Sequence, residues 1–417
     1  MNKRSTGILA AVTVVTVILS ITSIRKRKQA SAAAVRDQVL VPELGQRIND
    51  VAQLQVKSAD GTFTIARGES NWGMVEKADY PVDQGKVRTL LFALKDAEVL
   101  ETKTSKPALY PRLGVEGVDA QDSASIELTV SDSAGAKLAE VVVGKRGASS
   151  SRDTYYVRRM GEAPSFLVEG DLTIDKSDSA WLDKQIVDLE RERVKAIEIL
   201  HTDGERVFAH KADQAATDFE LADIPEGKEL RYAGAPGSLA TSLARLDMED
   251  VRAAADVDLP EQSLAVSTFW TFDGLKVVAT VYEVEEELLA TFAAEYDAEG
   301  PAMNAFEGQG ALADNGLAIA DPAIEAPDSE VAPTEGATPA EVQSEAQSLA
   351  TKTAPWVYVL PTWKKSSLAK TMEELTKDLP PPPPPEEVLE VEPLEGDPQD
   401  HTPGDGHDHD HGEGDGH

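Results

Sequence analysis

The 417-residue chain contains no cysteine and is short of basic and aromatic residues. The missing thiols exclude disulfides, cysteine nucleophiles and cysteine-ligated zinc or iron–sulfur sites. Only 40 lysines and arginines stand against 74 aspartates and glutamates, which gives a formal net charge of -34. Because nucleic-acid binding depends on basic side chains that neutralise phosphates, this balance argues against a nucleic-acid partner.

Catalytic signatures are missing as well. Residues 234–241 (GAPGSLAT) lack the Lys-Ser/Thr ending of a phosphate-binding loop, and neither a nucleophile elbow nor a His-Glu-x-x-His motif occurs. His201 and His210 have no serine or acidic partner at a motif spacing, which favours surface histidines. The glutamates at 283 and 285–287 are interpreted as a solvated face. We therefore expect a protein that is not an enzyme, with no catalytic residues and no cofactor.

The N-terminus predicts a membrane anchor. Residues 1–6 form a short flank, and Gly7–Ile24 is apolar or small and uncharged, just long enough as a helix to span about 30 Å of hydrocarbon. Residues 25–45 are interpreted as a linker that is first basic and then Ala-rich. The basic run 25–28 separates the apolar stretch from the small triplet 32–34, which favours an uncleaved anchor over a cleaved signal peptide. Lysine and arginine counts on the two sides leave the orientation open.

The region that follows the anchor contains an internal sequence repeat. Residues 51–69 (VAQLQVKSADGTFTIARGE) and 194–211 (VKAIEILHTDGERVFAHK) each join two alternating runs through an Asp-Gly turn, which predicts a β-hairpin. An aromatic strand start follows at Trp72 and at Phe219. The pattern predicts an α+β fold with tandem duplicated mixed-sheet units, each packing helices on its sheet.

Each unit also carries a Leu-rich segment. Asp83 is a plausible N-cap, and Val87, Leu90, Leu91 and Leu94 share one stripe of a helix. Residues 91–99 (LFALKDAEV) are matched by 243–251 (LARLDMEDV), which predicts an equivalent helix over 238–250. Aromatic residues in or beside strand-like runs are interpreted as sheet residues rather than as a carbohydrate-binding surface: Tyr155, Tyr156, Trp270, Trp356 and Trp363.

These patterns place the first repeat at 46–189 and the second repeat at 190–379. Residues 297–353 are rich in Ala, Glu, Pro and Gly without sustained periodicity, so we expect a disordered insert within the second repeat. Order is expected to resume at 355–360 (PWVYVL), which corresponds to 165–168, and a closing helix is predicted over 366–379. Residues 380–417 are expected to form a disordered tail, first Pro-rich and then acidic and His-rich.

The tail ends in GDGHDHDHGEGDGH. His407, His409 and His411 alternate with aspartates, and His417 ends the chain. Imidazole and carboxylate groups suit zinc, nickel or copper(II), so these four histidines are candidate metal ligands. Without a rigid supporting shell, the expected affinity is weak. The alternative is an acidic low-complexity tail that only solvates the chain.

Several of these motifs occur together in a known family. Trp72, the run Tyr80-Pro81-Val82-Asp83, the pair Val143-Gly144 and the segment 155–158 (YYVR) follow an N-terminal anchor. The chain resembles bacterial membrane-anchored proteins that carry the domain of unknown function 4340 (DUF 4340), over residues 51–379 without the insert. The resemblance implies an accessory component of an ABC transporter of the gliding-motility type, with its body outside the cytoplasmic membrane. It assigns no catalytic residues.

Three functional hypotheses follow. The first is a non-enzymatic, single-pass protein of the bacterial inner membrane with a periplasmic body, acting as an accessory or scaffold of an ABC-type transport complex. Its expected partners are the cytoplasmic membrane, through Gly7–Ile24, and the transporter's permease or ATPase. The second is an envelope protein that captures zinc, nickel or copper with its His/Asp tail. The third is a cell-envelope hydrolase with carboxylates in a cleft between the repeats.

Overall fold

The computed structural model describes residues 38–148, 152–301 and 337–380. In its first repeat, an antiparallel sheet contains ten strands in the described residues. The strands are β1 Gln38–Val39, β2 Val51–Ser58, β3 Gly61–Arg67, β4 Trp72–Met74, β5 Tyr80–Pro81, β6 Glu98–Thr102, β7 Ile126–Asp132, β8 Lys137–Arg146, β9 Thr154–Arg159 and β10 Ser165–Glu169. A further short strand, β11 Gln185–Val187, leads into the second repeat.

The second repeat forms a second antiparallel sheet, with eight strands in the part of the chain that is described. The strands from Val194 onward, including short ones outside the large sheet, are β12 Val194–His201, β13 Arg206–His210, β14 Glu220–Leu221, β15 Lys228–Leu230, β16 Leu246–Asp247, β17 Asp250–Ala253, β18 Ala265–Thr271, β19 Leu275–Val284, β20 Glu287–Tyr296, β21 Trp356–Leu360 and β22 Thr376–Asp378. The α-helices are α1 Pro42–Gln46, α2 Gln84–Lys95, α3 Tyr110–Leu113, α4 Pro339–Thr353, α5 Lys365–Leu368 and α6 Met372–Leu375.

The two sheets have the same strand order. Apart from β5 and β1, which lie at the two edges of the first sheet, its order β4-β3-β2-β7-β8-β9-β10-β6 matches β14-β13-β12-β18-β19-β20-β21-β17 in the second. The first strand of each opening hairpin also has a register shift at the same place in its other pairing, between Val51 and Gln53 against β7 and between Val194 and Ala196 against β18. The α+β class predicted from the sequence is therefore confirmed. The sheets are antiparallel rather than mixed, because most neighbouring strands are joined by hairpins.

The Leu-rich helix of the first repeat forms as predicted. Asp83 caps it by accepting a hydrogen bond from the backbone of Lys86 at 3.0 Å, and the four residues of the apolar stripe are buried. The equivalent helix predicted over 238–250 does not form. Residues 236–241 make a 3-10 helix that begins at Pro236 without a side-chain cap, and Arg245 adopts a positive φ of 45°. Residues 250–253 then extend as β17 and pair with β21, which competes with helix formation.

Three other expectations need correction. The predicted linker contains β1 and most of α1, because Leu40 and Leu44 are completely buried in the core. The predicted disordered insert contains α4 at 339–353, which begins with a capping box between Thr338 and Glu341 and buries Val342 and Ala346. The predicted closing helix is broken into α5 and α6, because Thr371 starts a new capping box with Glu374. Residues 302–336 of the insert lie outside the described residues.

The two repeats share one core. The end of the first repeat hydrogen-bonds both to its own sheet and to the second repeat: Asp183 donates its backbone N–H to the Pro81 carbonyl at 2.9 Å, and Met248 of the second repeat donates to the Lys184 carbonyl at 3.0 Å. Tyr80 of the first repeat packs edge-on against Trp356 of the second at 5.0 Å between ring centroids. Lys77 pairs with Asp250 across the same boundary at 2.6 Å. The repeats are therefore parts of one folded body.

No helix in the described residues is long and apolar enough to cross a bilayer. The predicted anchor, Gly7–Ile24, lies outside those residues.

Candidate functional site

A groove of about 220 Å³ opens beside α2 in the first repeat. We call it the first-repeat groove; it is lined by Ile48, Asn49, Val51, Arg67, Trp72, Gln84, Val87, Arg88, Leu91 and Phe92. The side chains come from the turn before β2, the end of β3, the start of β4 and one face of α2. The hairpin and the helix that follows it thus bring together residues from Ile48 to Phe92, which are 44 positions apart in the sequence.

The aromatic wall of this groove is held rigidly. Trp72 lies opposite Arg67 in the β3–β4 ladder, and the guanidinium carbon of Arg67 is 5.9 Å from the centroid of the indole. Gln84, in the first turn of α2, accepts a hydrogen bond from the Trp72 backbone N–H at 3.3 Å and donates to the Trp72 carbonyl at 3.2 Å. These bonds fix the strand that carries the indole to the start of the helix, so Gln84 positions the site.

The rim of the groove is cationic and aromatic. Arg88 and Phe92 stand one helical turn apart on α2, and Phe92 is 46% exposed. Arg67 donates a hydrogen bond to the Asn49 carbonyl at 3.3 Å. Among the described residues, neither Arg67 nor Arg88 forms an ion pair with a carboxylate. Two unneutralised guanidinium groups beside an indole can receive a planar anion together with an apolar side chain.

The second repeat contains the equivalent position. Ile48 and Arg191 each lie three residues before the register shift at Val51 or Val194. Arg67 and Lys211 each come directly after the residue that pairs with Gln53 or Ala196 in the hairpin. Phe219 takes the place of Trp72. The Lys211 ammonium lies 5.1 Å from the Phe219 ring centroid and the Arg191 guanidinium lies 5.5 Å from it.

The equivalent position is occupied by the chain itself. Arg191 donates a hydrogen bond to the Thr217 carbonyl at 2.8 Å. Its Nη2 atom lies 2.8 Å from where a Cβ on Gly237 would stand, so glycine leaves room for the guanidinium. Lys211 is only 4% exposed, and burial, with a smaller contribution from the charge of Arg191, lowers its pKa.

The histidines in the body take structural places. The Nε2 atom of His201 lies 3.2 Å from the Lys370 carbonyl, and the ring of His210 packs against Phe208 at 5.6 Å. No group of three or more histidine, aspartate or glutamate residues is placed to hold a metal in the described part of the chain. The candidate ligands His407, His409, His411 and His417 lie outside it, so metal binding by the tail stays a prediction.

The carboxylates singled out from the sequence make structural contacts. Glu283 pairs with Lys365 at 2.7 Å and Glu287 pairs with Arg252 at 2.7 Å, while Glu285 forms the turn between β19 and β20 with a φ of 57°. A second groove, at the tip of the first hairpin, is lined by Asp60, Gly61, Thr62, Phe63, Glu76, Lys176, Ser177 and Asp178. In this groove Glu76 accepts a hydrogen bond from the Thr64 backbone at 2.8 Å.

The aromatic residues divide into core and surface. Trp270 is 8% exposed, and Tyr155 and Trp356 are mostly buried, as expected for sheet residues. Trp363 is different, because it is 65% exposed on a 3-10 helix after β21. The sequence analysis did not single out the first-repeat groove. The sequence signal for it was a basic residue followed by an aromatic residue in both repeats. Arg67 and Trp72 are five residues apart, and Lys211 and Phe219 are eight residues apart.

Comparison with known proteins gives a match to one family model over part of the chain. No curated protein matches it. The family model described as "Domain of unknown function (DUF4340)" matches residues 72–264. This is a narrower range than the 51–379 suggested by the motifs, and it runs from β4 of the first repeat to the residue before β18 of the second. Residues 72–264 of this chain therefore match the DUF4340 family model.

Proposed function

We propose that this protein is a non-enzymatic, membrane-anchored accessory or scaffold protein whose body lies outside the cytoplasmic membrane and works with an ABC-type transport complex. The observation that carries the proposal is that two repeats with the same strand order share one hydrophobic core, which we call the joined body. In this body, the position of Trp72 is open as a groove, whereas the equivalent position of Phe219 is filled. Such a body suits partner binding, because a rigid surface is presented without loss of conformational entropy.

Two sequence features support the membrane part of the proposal. Gly7–Ile24 has the length and apolar character of a single spanning helix. The match to the DUF4340 family model at 72–264 agrees with the resemblance from which the transporter association was inferred. The permease or the ATPase of the transporter remains the expected partner.

The experiment is an affinity purification of the full-length chain from crosslinked, detergent-solubilised membranes, followed by identification of the proteins that co-purify. We expect permease and ATPase subunits of one ABC transporter at near-stoichiometric amounts. A purification that contains no transporter subunit, in membranes where the transporter is present, would contradict the proposal.

The same preparation tests the metal-capture alternative. That alternative depends on the alternation of histidine and aspartate at 407–411, and it predicts that the purified chain retains zinc, nickel or copper in stoichiometric amounts. A variant that lacks residues 401–417 is the control, because it should lose the metal while the body is unchanged. Retention of metal without any transporter subunit would favour the alternative over the accessory function.

A further inference from the structure

The two equivalent aromatic positions differ in what fills them. In the second repeat, the long side chain of Arg191 reaches over Phe219 and bonds to the backbone on its far side. In the first repeat, Ile48 stands at the place of Arg191 and is too short to cover Trp72, which leaves the space that forms the first-repeat groove. The comparison indicates that this position accommodates a planar polar group stacked on an aromatic ring.

The residues around the two aromatic positions also differ in size and charge. In the alignment of 91–99 with 243–251, Arg88 and Phe92 correspond to Ala240 and Ala244. Because residues 236–241 form a 3-10 helix rather than a helix like α2, this correspondence holds in the sequence only. Arg88 and Phe92 of α2 add a cation and an aromatic ring to the rim of the first-repeat groove.

The charges of the groove favour an anion. Arg67 and Arg88 both line it, and neither has a carboxylate partner among the described residues. The chain as a whole is strongly acidic, but charges more than about 8 Å apart are screened at physiological ionic strength. The local guanidinium groups therefore decide which ligand the groove accepts, and acidic surroundings discourage acidic ligands elsewhere on the body.

The size of the groove limits the ligand to side-chain scale. Its volume of about 220 Å³ is below the roughly 300–1,000 Å³ that is typical of pockets for drug-sized molecules. Trp72 and the exposed ring of Phe92 offer apolar area next to the cations. This combination suits an acidic residue and an adjacent apolar residue of an extended peptide.

We propose that the first-repeat groove binds an acidic peptide segment of a partner protein. An aspartate or glutamate carboxylate of the segment pairs with Arg67 and Arg88, and a neighbouring leucine or phenylalanine packs on Trp72 and Phe92. The second repeat has no equivalent activity, because Arg191 occupies its site. The inference goes beyond the proposed function, since it assigns a site and a ligand chemistry whether or not the partner belongs to a transporter.

The test measures fluorescence anisotropy of a short rhodamine-labelled peptide, in which glutamate alternates with leucine and phenylalanine, titrated with the full-length chain in detergent. A twin peptide with glutamine in place of glutamate is titrated in parallel. We expect the acidic peptide to bind at least tenfold more tightly than its twin, and its affinity to fall as salt is raised. Equal affinity of the two peptides, or no binding of the acidic one, would overturn the proposal.

Variants then locate the binding. Arg88→Gln should weaken binding of the acidic peptide about fivefold to tenfold, whereas Arg112→Gln, an exposed arginine outside the groove, should leave it unchanged. Ile48→Arg copies the second repeat into the first and should abolish binding by filling the groove. Where Ile48→Arg does not fold, as judged by circular dichroism, Arg67→Gln replaces it. Equal loss of affinity in Arg88→Gln and Arg112→Gln would show that binding does not depend on the groove and would overturn the assignment.

Discussion

At position 144, the close approach of two backbone segments requires glycine. A Cβ built on Gly144 would lie 2.4 Å from the Leu113 carbonyl oxygen and 2.7 Å from that of Gly114. Both are backbone atoms, so no side-chain rotation relieves the contact. The Val143-Gly144 pair noted in the sequence therefore marks the crossing of β8 and the end of α3.

Gly144→Ala should destabilise the body by about 2 kcal/mol, because the added methyl group forces two backbone segments apart. Gly117→Ala is the matched control, since nothing lies within 4 Å of a Cβ at that position. Its effect should stay within about 0.5 kcal/mol. Urea unfolding followed by circular dichroism measures both. Equal stability of the two variants would show that the crossing of β8 and α3 yields at little cost.

The charged carboxylate of Asp132 stabilises the folded state through its hydrogen bonds. It accepts hydrogen bonds from Arg47 at 2.6 Å and from the backbone of Ala134 and Ala136 at 2.9 Å. The hydrogen bond from Arg47, and after it the backbone bonds, hold the pKa of Asp132 below its ordinary value. A depressed folded-state pKa stabilises the protein above the unfolded pKa of about 4, and that stabilisation disappears as the pH falls further.

The melting temperatures of the wild type and Asp132→Asn should therefore differ near pH 7, with the wild type higher, and should converge as the pH falls below about 4. Asp119→Asn serves as the control, because Asp119 is 86% exposed in its pair with Lys57 and should show no such convergence. Scanning calorimetry across this pH range measures the difference. A difference that persists unchanged at low pH would mean that the Asp132 charge is not its source.

At the scale of elements, α4 is an addition that distinguishes the second repeat. In the first repeat, β9 and β10 are joined by the short turn 160–164, whereas the equivalent strands β20 and β21 are separated by the region that contains α4. Arg193 ties this helix to the sheet by bonding Glu345 and Asp273 at 2.9 to 3.0 Å. Those two carboxylates raise the pKa of Arg193, with the hydrogen bond to Glu345 as the largest cause.

The start of α4 depends on its capping box. Thr338→Ala removes the side-chain acceptor for the Glu341 backbone N–H and should destabilise the helix by about 1 kcal/mol, which corresponds to about fivefold faster exchange of its amides. Thr351→Ala changes an exposed threonine on the same helix and should leave exchange within twofold of the wild type. Hydrogen-exchange mass spectrometry on residues 339–353 makes the comparison. Unchanged exchange in Thr338→Ala would show that packing alone holds the helix.

Several elements could be predicted because their signals are local. The Asp-Gly turns predict both opening hairpins, and Asp83 with its following apolar stripe predicts α2. The helix expected over 238–250 has the same leucine spacing. In the structure, however, a 3-10 helix starts at Pro236, and residues 250–253 form β17, which pairs with β21. The leucine pattern could not reveal that competition, because β21 lies more than 100 residues further along the chain.

The capping box of α4 was present in the sequence as Thr-Pro-Ala-Glu at 338–341, but the surrounding Ala- and Glu-rich composition concealed it. The first-repeat groove was less accessible still. It brings together Asn49, Arg67, Trp72 and Arg88, whose proximity depends on the register of β3 with β4 and on the angle of α2. Only comparison with the second repeat, once both sheets are known, separates the open position from the filled one.

At the scale of the whole molecule, the boundary between the repeats is buried and partly charged. Lys77 is 14% exposed and contacts Asp250 of the second repeat at 2.6 Å and Asp178, near the end of the first repeat, at 3.4 Å. Nearby, burial raises the pKa of both Tyr80 and Tyr358, so both rings stay neutral throughout the physiological range. The two halves thus depend on each other for stability.

Lys77→Met should destabilise the body by about 2 kcal/mol, because Asp250 is left without its partner in a half-buried place. Lys57→Met breaks an exposed pair with Asp119 and should cost less than about 1 kcal/mol. Unfolding of the wild type and of Lys77→Met should remain a single transition in scanning calorimetry, because the repeats share a core. Two separated transitions in the wild type would contradict a single folded body.

The central claim is that the joined body holds a partner of a transport complex through the first-repeat groove. The most direct measurement is site-specific photocrosslinking in living cells, with benzoylphenylalanine in place of Phe92 at the groove rim or of Tyr232, which is 54% exposed in the second repeat. We predict a crosslink at position 92 to a subunit of an ABC transporter, and none to that subunit at position 232. Crosslinking to the same subunit at both positions, or at position 232 only, would contradict the account.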